Sequence, residues 1–235
     1  MNIHEHILAN KVKQTRDEDL VHCLKKYSDF KKGYQNINIV NKESVYDFID
    51  LFNIYRSECA NIYEKRKNSG QELIRSTMLE GFFQILFKDL IHLKMDGNDS
   101  IHIGSGNILS SFTFSPFSFK RAHLDLNFSS QLKDQDFVIG MKSKFIFKQE
   151  MNDRLIDFIV PFVIIECKTY IDKNMLETHI NSCKDTKRIF PFCKYYVASE
   201  YIKMRTGNPE YSKLDNIYIF TQIKNSEREN KMKKG

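Results

Sequence analysis

Glu166, Cys167 and Lys168 end the run PFVII, and that order is where chemistry could begin. Along a strand successive side chains point to opposite faces, so Glu166 and Lys168 share one face and Cys167 takes the other. Ionisable groups at the end of a buried strand are costly unless they are paired or hold a cation. The carboxylate suits Mg²⁺, a hard ion that takes oxygen ligands. The amine suits holding or deprotonating an attacking water, or meeting charge on a phosphate. Metal-assisted hydrolysis of a phosphodiester needs at least one further acid. Asp136, in KDQDFVIG, stands at the head of the preceding apolar stretch. In an antiparallel hairpin the start of one strand lies beside the end of its partner. Asp136 and Glu166 are therefore expected to meet at one margin of a sheet, with Asp125, Asp134 and Asp157 as rivals for the first place.

The elements that would position these groups follow from hydrophobic period. Residues 1–95 read as a helical arm. Ser44 is the expected cap of a helix with Val45, Phe48, Ile49, Phe52 and Tyr55 at helical spacing, and a second helix runs from about Gln71 to Lys94. Residues 96–120, rich in Gly, Ser, Asn and Phe, read as loop with short strands. DFVIGMKSKFIFKQ and LIDFIVPFVIIECK read as a β-hairpin turned at MNDR, and the nearly all-apolar VPFVII suits a strand covered on both faces. A helix from about Asp172, its expected N-cap, to Phe190 follows, closed by Pro191. CKYYVASEY and NIYIFTQI are then strands. This order predicts an α/β fold in three parts: a helical region over 1–95, a core over 96–223 with a mixed central sheet flanked by helices, and a polar, basic tail over 224–235.

The 235 residues are 41% hydrophobic and 28% charged, which suits a folded globular chain and excludes a wholly disordered one. No apolar run is long enough to span a membrane and the N-terminus has no secretory pattern, so a cytoplasmic protein without membrane attachment is expected. Five widely spaced cysteines without a CxxC argue against a disulfide framework or a zinc site. The net charge of +6 is compatible with a polyanionic partner without requiring one.

The D…ExK arrangement at the open end of a hairpin resembles the PD-(D/E)XK nuclease superfamily. KDQDFVIG, IECKTYIDKNMLE and YSKLDNIYIF resemble the Bpu-ten-I-like group of type II restriction endonucleases, most strongly over roughly Lys133 to Phe220; RSTMLEGFFQILFKD adds a weaker likeness. The resemblance implies a restriction-endonuclease-like sheet and Mg²⁺-dependent cutting of double-stranded DNA at a short specific sequence, leaving a 5′-phosphate and a 3′-hydroxyl. It implies Asp136 and Glu166 as metal ligands, the backbone carbonyl of Cys167 as a third oxygen, Lys168 as the catalytic lysine, and Glu80 as an acid supporting the metal through water. Gln135 stands where the motif has proline.

Cutting both strands needs two sites, so a homodimer is expected, or assembly with a non-identical subunit. Lys184, Lys187 and Arg188 share a helix face and are candidate phosphate contacts, as is Thr169 directly after the site. The segment Gly104–Lys120 is a candidate for base contacts. Each of these has a plainer alternative: Glu166–Lys168 as a structural ion pair, Asp136 as a turn cap, Glu80 and the basic triplet as solvated helix faces, and His123 as a structural histidine. Outside site-specific restriction, the alternatives are a non-specific repair or recombination nuclease and a DNA-binding protein without catalysis.

Overall fold

Four helices come first, and short polar side chains start the first three. The computed structural model describes residues 2–65, 69–94, 100–116, 126–148, 154–204 and 213–221. Helix α1 (Ile3–Thr15) is capped by Asn2, which accepts from the His4 amide, and α2 (Glu18–Tyr34) by Asp17, which accepts from Asp19 and Leu20. Helix α3 (Lys42–Lys65) corrects one expectation: its cap is Asn41 rather than Ser44. The Asn41 side chain accepts from the Ser44 amide at 2.9 Å, and the Ser44 hydroxyl accepts in return from the Asn41 amide at 3.1 Å. The hydroxyl closes a capping box from inside the first turn. Helix α4 (Ser69–Lys94) completes the set.

A five-stranded sheet follows in the order β1 (Ile101–Pro116), β2 (Leu126–Phe147), β3 (Arg154–Ile171), β4 (Lys194–Ile202), β5 (Asn216–Ile219). Strands β1, β2 and β3 are antiparallel neighbours. Strands β3, β4 and β5 run parallel, with helix α5 (Lys173–Ile189) making the crossover from β3 to β4 that a parallel pair requires. The expected α/β fold with a mixed central sheet flanked by helices is thus present.

Both faces of the sheet are covered, which explains the apolar run in β3. On one face Phe137, Ile165, Cys167 and Ala198 share a core with Phe48, Phe52, Phe82 and Phe83 of α3 and α4. On the other face Val138, Ile164, Tyr195 and Val197 pack with Leu176 and Cys183 of α5. Among the described residues no helix is long and apolar enough to cross a membrane.

Two sequence expectations are corrected. The Ser/Gly-rich segment is a strand from Ile101 to Pro116, and β2 begins at Leu126, ten residues ahead of Asp136. Ladder hydrogen bonds hold this ribbon, with little apolar burial beyond Ile108, so its composition carries no hydrophobic alternation. Its register shifts where Gly104 faces Val138 but Gly106 faces Gln135. The surplus residue lies in β2 at Asp136–Phe137, a β-bulge. Gly104 opposite has φ 139°, a conformation open to glycine. At a second irregularity, β2 against β3, a Cβ on Gly140 would run into the carbonyl oxygen of Val160. The expected turn MNDR, apart from Arg154, His123, Asp125 and the tail 224–235 lie outside the described residues.

Candidate active site

The β2–β3 ladder closes at the pair Phe137↔Ile165, and the next residues outward are Asp136 and Glu166. The backbone amide of Cys167 donates to Asp136 Oδ2 at 2.9 Å. Lys168 Nζ donates to the same oxygen at 2.5 Å and lies 3.3 Å from Glu166 Oε2. One ammonium thus touches both acids, and the two oxygens are no farther apart than those two distances laid end to end. The Cys167 side chain is buried with the N-terminal helices while Ile164 faces α5. By alternation Glu166 and Lys168 project on the α5 side. The N–H and C=O of one strand residue point to the same edge, so the Cys167 carbonyl also faces Asp136.

A second layer holds Glu166. The Tyr195 hydroxyl donates to Glu166 Oε1 at 2.7 Å and lies 3.5 Å from Gln135 Oε1. Burial, reinforced by the Glu166 charge, keeps that phenol protonated. His179 Nδ1 lies 3.7 Å from Glu166 Oε2. Burial, then the Lys168 charge, lowers the His179 pKa to about 4, so the ring is neutral at pH 7. Gln135 is buried, and its amide nitrogen has no hydrogen-bond partner among the described residues. Sequence reasoning missed Tyr195, Gln135 and His179. Tyr195 could be found only through the β3–β4 register, in which it pairs with Ile164, two residues before Glu166.

The local charge is lopsided. Glu80 is buried on α4, and burial followed by the Asp136 charge raises its pKa to about 8. Asp136 is raised by burial and by Glu166, against the opposing pull of Lys168. Burial alone would lower Lys168, but the two carboxylates outweigh it and raise the amine. Acids therefore outnumber the one ammonium in a partly desolvated place, an imbalance that a divalent cation corrects. Among the described residues no group of three or more His, Cys, Asp or Glu side chains is drawn up to hold an ion alone. Asp136, Glu166 and the Cys167 carbonyl give three oxygens, a set that fits a hard ion keeping several waters.

The other candidates scatter. Asp157 pairs with Lys144 at 3.6 Å toward the opposite end of the β2–β3 pair, and Asp134 is exposed. Lys184 is exposed, and Arg188, 78% exposed, lies 3.9 Å from Asp185. Lys187 is turned inward, 2.5 Å from Asp215 Oδ2 and donating to the Lys213 carbonyl at 2.6 Å. Thr169 is half-buried.

A family model described as Bpu10I restriction endonuclease matches residues 71–232, more than half of the chain. The chain belongs to the Bpu10I restriction endonuclease family. The matched span takes in Glu80, Asp136, Glu166, Lys168 and Tyr195, and membership makes the protein a nuclease. Among solved structures, a chain of the native BbvCI A2B2 tetramer is similar over 97% of this chain and 85% of its own, with a TM-score of 0.73 and 22% identity. That likeness supports the fold over nearly all of this chain, helical arm included. Comparison with curated proteins finds no match.

Proposed function

We propose that this nuclease is a type II restriction endonuclease that hydrolyses double-stranded DNA at a short specific sequence with Mg²⁺, its centre built on Asp136, Glu166, the Cys167 carbonyl and Lys168. The observation that carries the reading is the single ammonium of Lys168 held between two carboxylates at the end of a covered strand. When bound at such a centre, Mg²⁺ lowers the pKa of a water and neutralises charge developing on the phosphate. The chain supplies the rest. The Cys167 amide fixes Asp136, and Tyr195 fixes one oxygen of Glu166 so that the other faces Lys168. Lys168 holds the attacking water by hydrogen bond and meets charge on the phosphate. Water adds in line to phosphorus, the P–O3′ bond breaks, and a 5′-phosphate and a 3′-hydroxyl result. Glu80 is placed to support the centre through water.

Residues 1–95 serve as a supporting arm, 96–223 as the nuclease core, and 224–235 as a basic tail. The chain works in the cytoplasm, in an assembly of two or more subunits that presents one centre to each DNA strand. The similar structure's description as a tetramer of two kinds of chain supports assembly with like or unlike copies.

A plasmid digest tests the function. Discrete bands that require Mg²⁺ and vanish in Asp136→Ala and Lys168→Ala are expected. A smear makes the enzyme a non-specific nuclease. Absence of cutting by the parent under every divalent ion, with DNA binding intact, removes the catalytic reading.

A further inference from the structure

A groove of about 700 Å³ runs between the β1–β2 ribbon and α5, lined by Ser110, Ser111, Gln131, Lys133, Ser182 and Arg188 among others. Gln131, Lys133 and Gln135 alternate onto one face of β2. Gln131 is exposed in the groove, Lys133 donates to Ser182 of α5, and buried Gln135 approaches Tyr195, which holds Glu166. Asp136 follows at the bulge and touches Lys168, which projects on the α5 side. The strand that floors the groove therefore continues, beyond Lys133, to the carboxylates.

We propose that the duplex lies across the mouth of this groove beside the cut, with the β1–β2 ribbon as the sequence-reading element in the duplex's major groove and Gln131 and Ser111 as its base contacts. The proposal rests on the nuclease reading above and adds to it the residues that select the substrate. Three features favour DNA. A two-stranded ribbon fits the major groove, about 12 Å wide, and amide and hydroxyl groups read base edges there. Gln131 and Ser111 are a register pair, so they stand side by side on the ribbon. The wall opposite carries Arg188, 78% exposed, with exposed Lys184 on the same helix, the cations that a phosphate backbone attracts. Asp185 tempers that wall and limits how many phosphates it takes. Gln131 and Asp136 are five steps apart along the strand, at most about 17 Å at ~3.3 Å each. With base pairs about 3.4 Å apart, the read base lies within about five base pairs of the cut.

The test uses the full-length chain on a duplex pool of random sequence. One arm sequences the ends that the parent, Gln131→Ala and Ser111→Ala cut in Mg²⁺. The other arm sequences duplexes retained by Lys168→Ala, alone and combined with Gln131→Ala, and needs no cutting. Gln131→Ala is expected to lose about tenfold or more of the preference at one base pair within that distance, with the other positions kept. A merely structural role would weaken every position together and lower the melting temperature. Preferences identical to the parent in both arms overturn the proposal. A parent that cuts without preference overturns it and leaves the nuclease standing. Selective retention that Gln131→Ala abolishes at one position, from a parent that never cuts, upholds the groove and removes the catalytic reading.

Discussion

Two of the places where the molecule buries polar groups treat them in opposite ways. Under the helical arm, His4 sits fully enclosed, with Nδ1 3.2 Å from Thr77 Oγ1 and Nε2 2.6 Å from the Tyr55 hydroxyl, itself 3.1 Å from the Tyr63 hydroxyl. Burial lowers the His4 pKa to about 4, so the cluster is neutral and its hydrogen bonds are mutual. At the end of β3, two acids lean on one ammonium, with a third acid behind them. A neutral, closed network specifies packing and needs nothing further. An uncompensated group of like charges, held in place by amide and phenol donors, costs stability unless a cation joins it. Polar groups therefore satisfy one another in the first region and stay short of a counter-charge in the second.

The sharpest break of that comparison is Asp136→Asn. Cutting is expected to fall on the order of 10³-fold, while the metal-free melting temperature holds or rises because like-charge repulsion is relieved. Loss of both activity and stability would make the acid structural, like His4. Next, Tyr195→Phe frees one oxygen of Glu166 and is expected to weaken Mg²⁺ binding about 10- to 100-fold, read by calorimetric titration without DNA. His4→Phe leaves the Tyr55 and Thr77 hydroxyls short of a partner and is expected to cost about 1–3 kcal/mol by urea unfolding, with turnover of the folded enzyme unchanged.

Two pH effects are smaller and opposite in sign. The unfolded His4 takes up a proton near pH 6.5 that the buried ring resists to about 4, so stability falls with pH across that window, less in His4→Phe. For Glu80 the unfolded carboxyl ionises near 4.5 and the buried one near 8. Without metal the parent therefore loses stability relative to Glu80→Gln as pH rises from 4.5 to 8. Melting curves of the three proteins across pH 4 to 9 check both signs.

Much of this was legible in the residues themselves. The covered strand PFVII, the shared face of Glu166 and Lys168, and the helix after Asp172 follow from period and capping, which are local properties. What was not legible depends on partners distant in sequence. The bulge at Asp136 has no composition of its own and exists only against Gly104 and Gly106. Strand β1 reads in sequence only as loop with short strands because its ladder, rather than burial, holds it. Tyr195 meets Glu166 only through the parallel register of β3 with β4. Lys187 read as a phosphate contact because its helix face is basic, but Asp215, from the far side of β4, turns it inward.

The surplus residue in β2 has a consequence for how the enzyme can change. It resets the phase of the strand between the ribbon and the acid. Upstream of it, pairing can lengthen, twist or exchange side chains without rotating Asp136 away from Lys168. On the proposed reading, new targets can be explored on one side of the irregularity while the carboxylate stays aimed on the other.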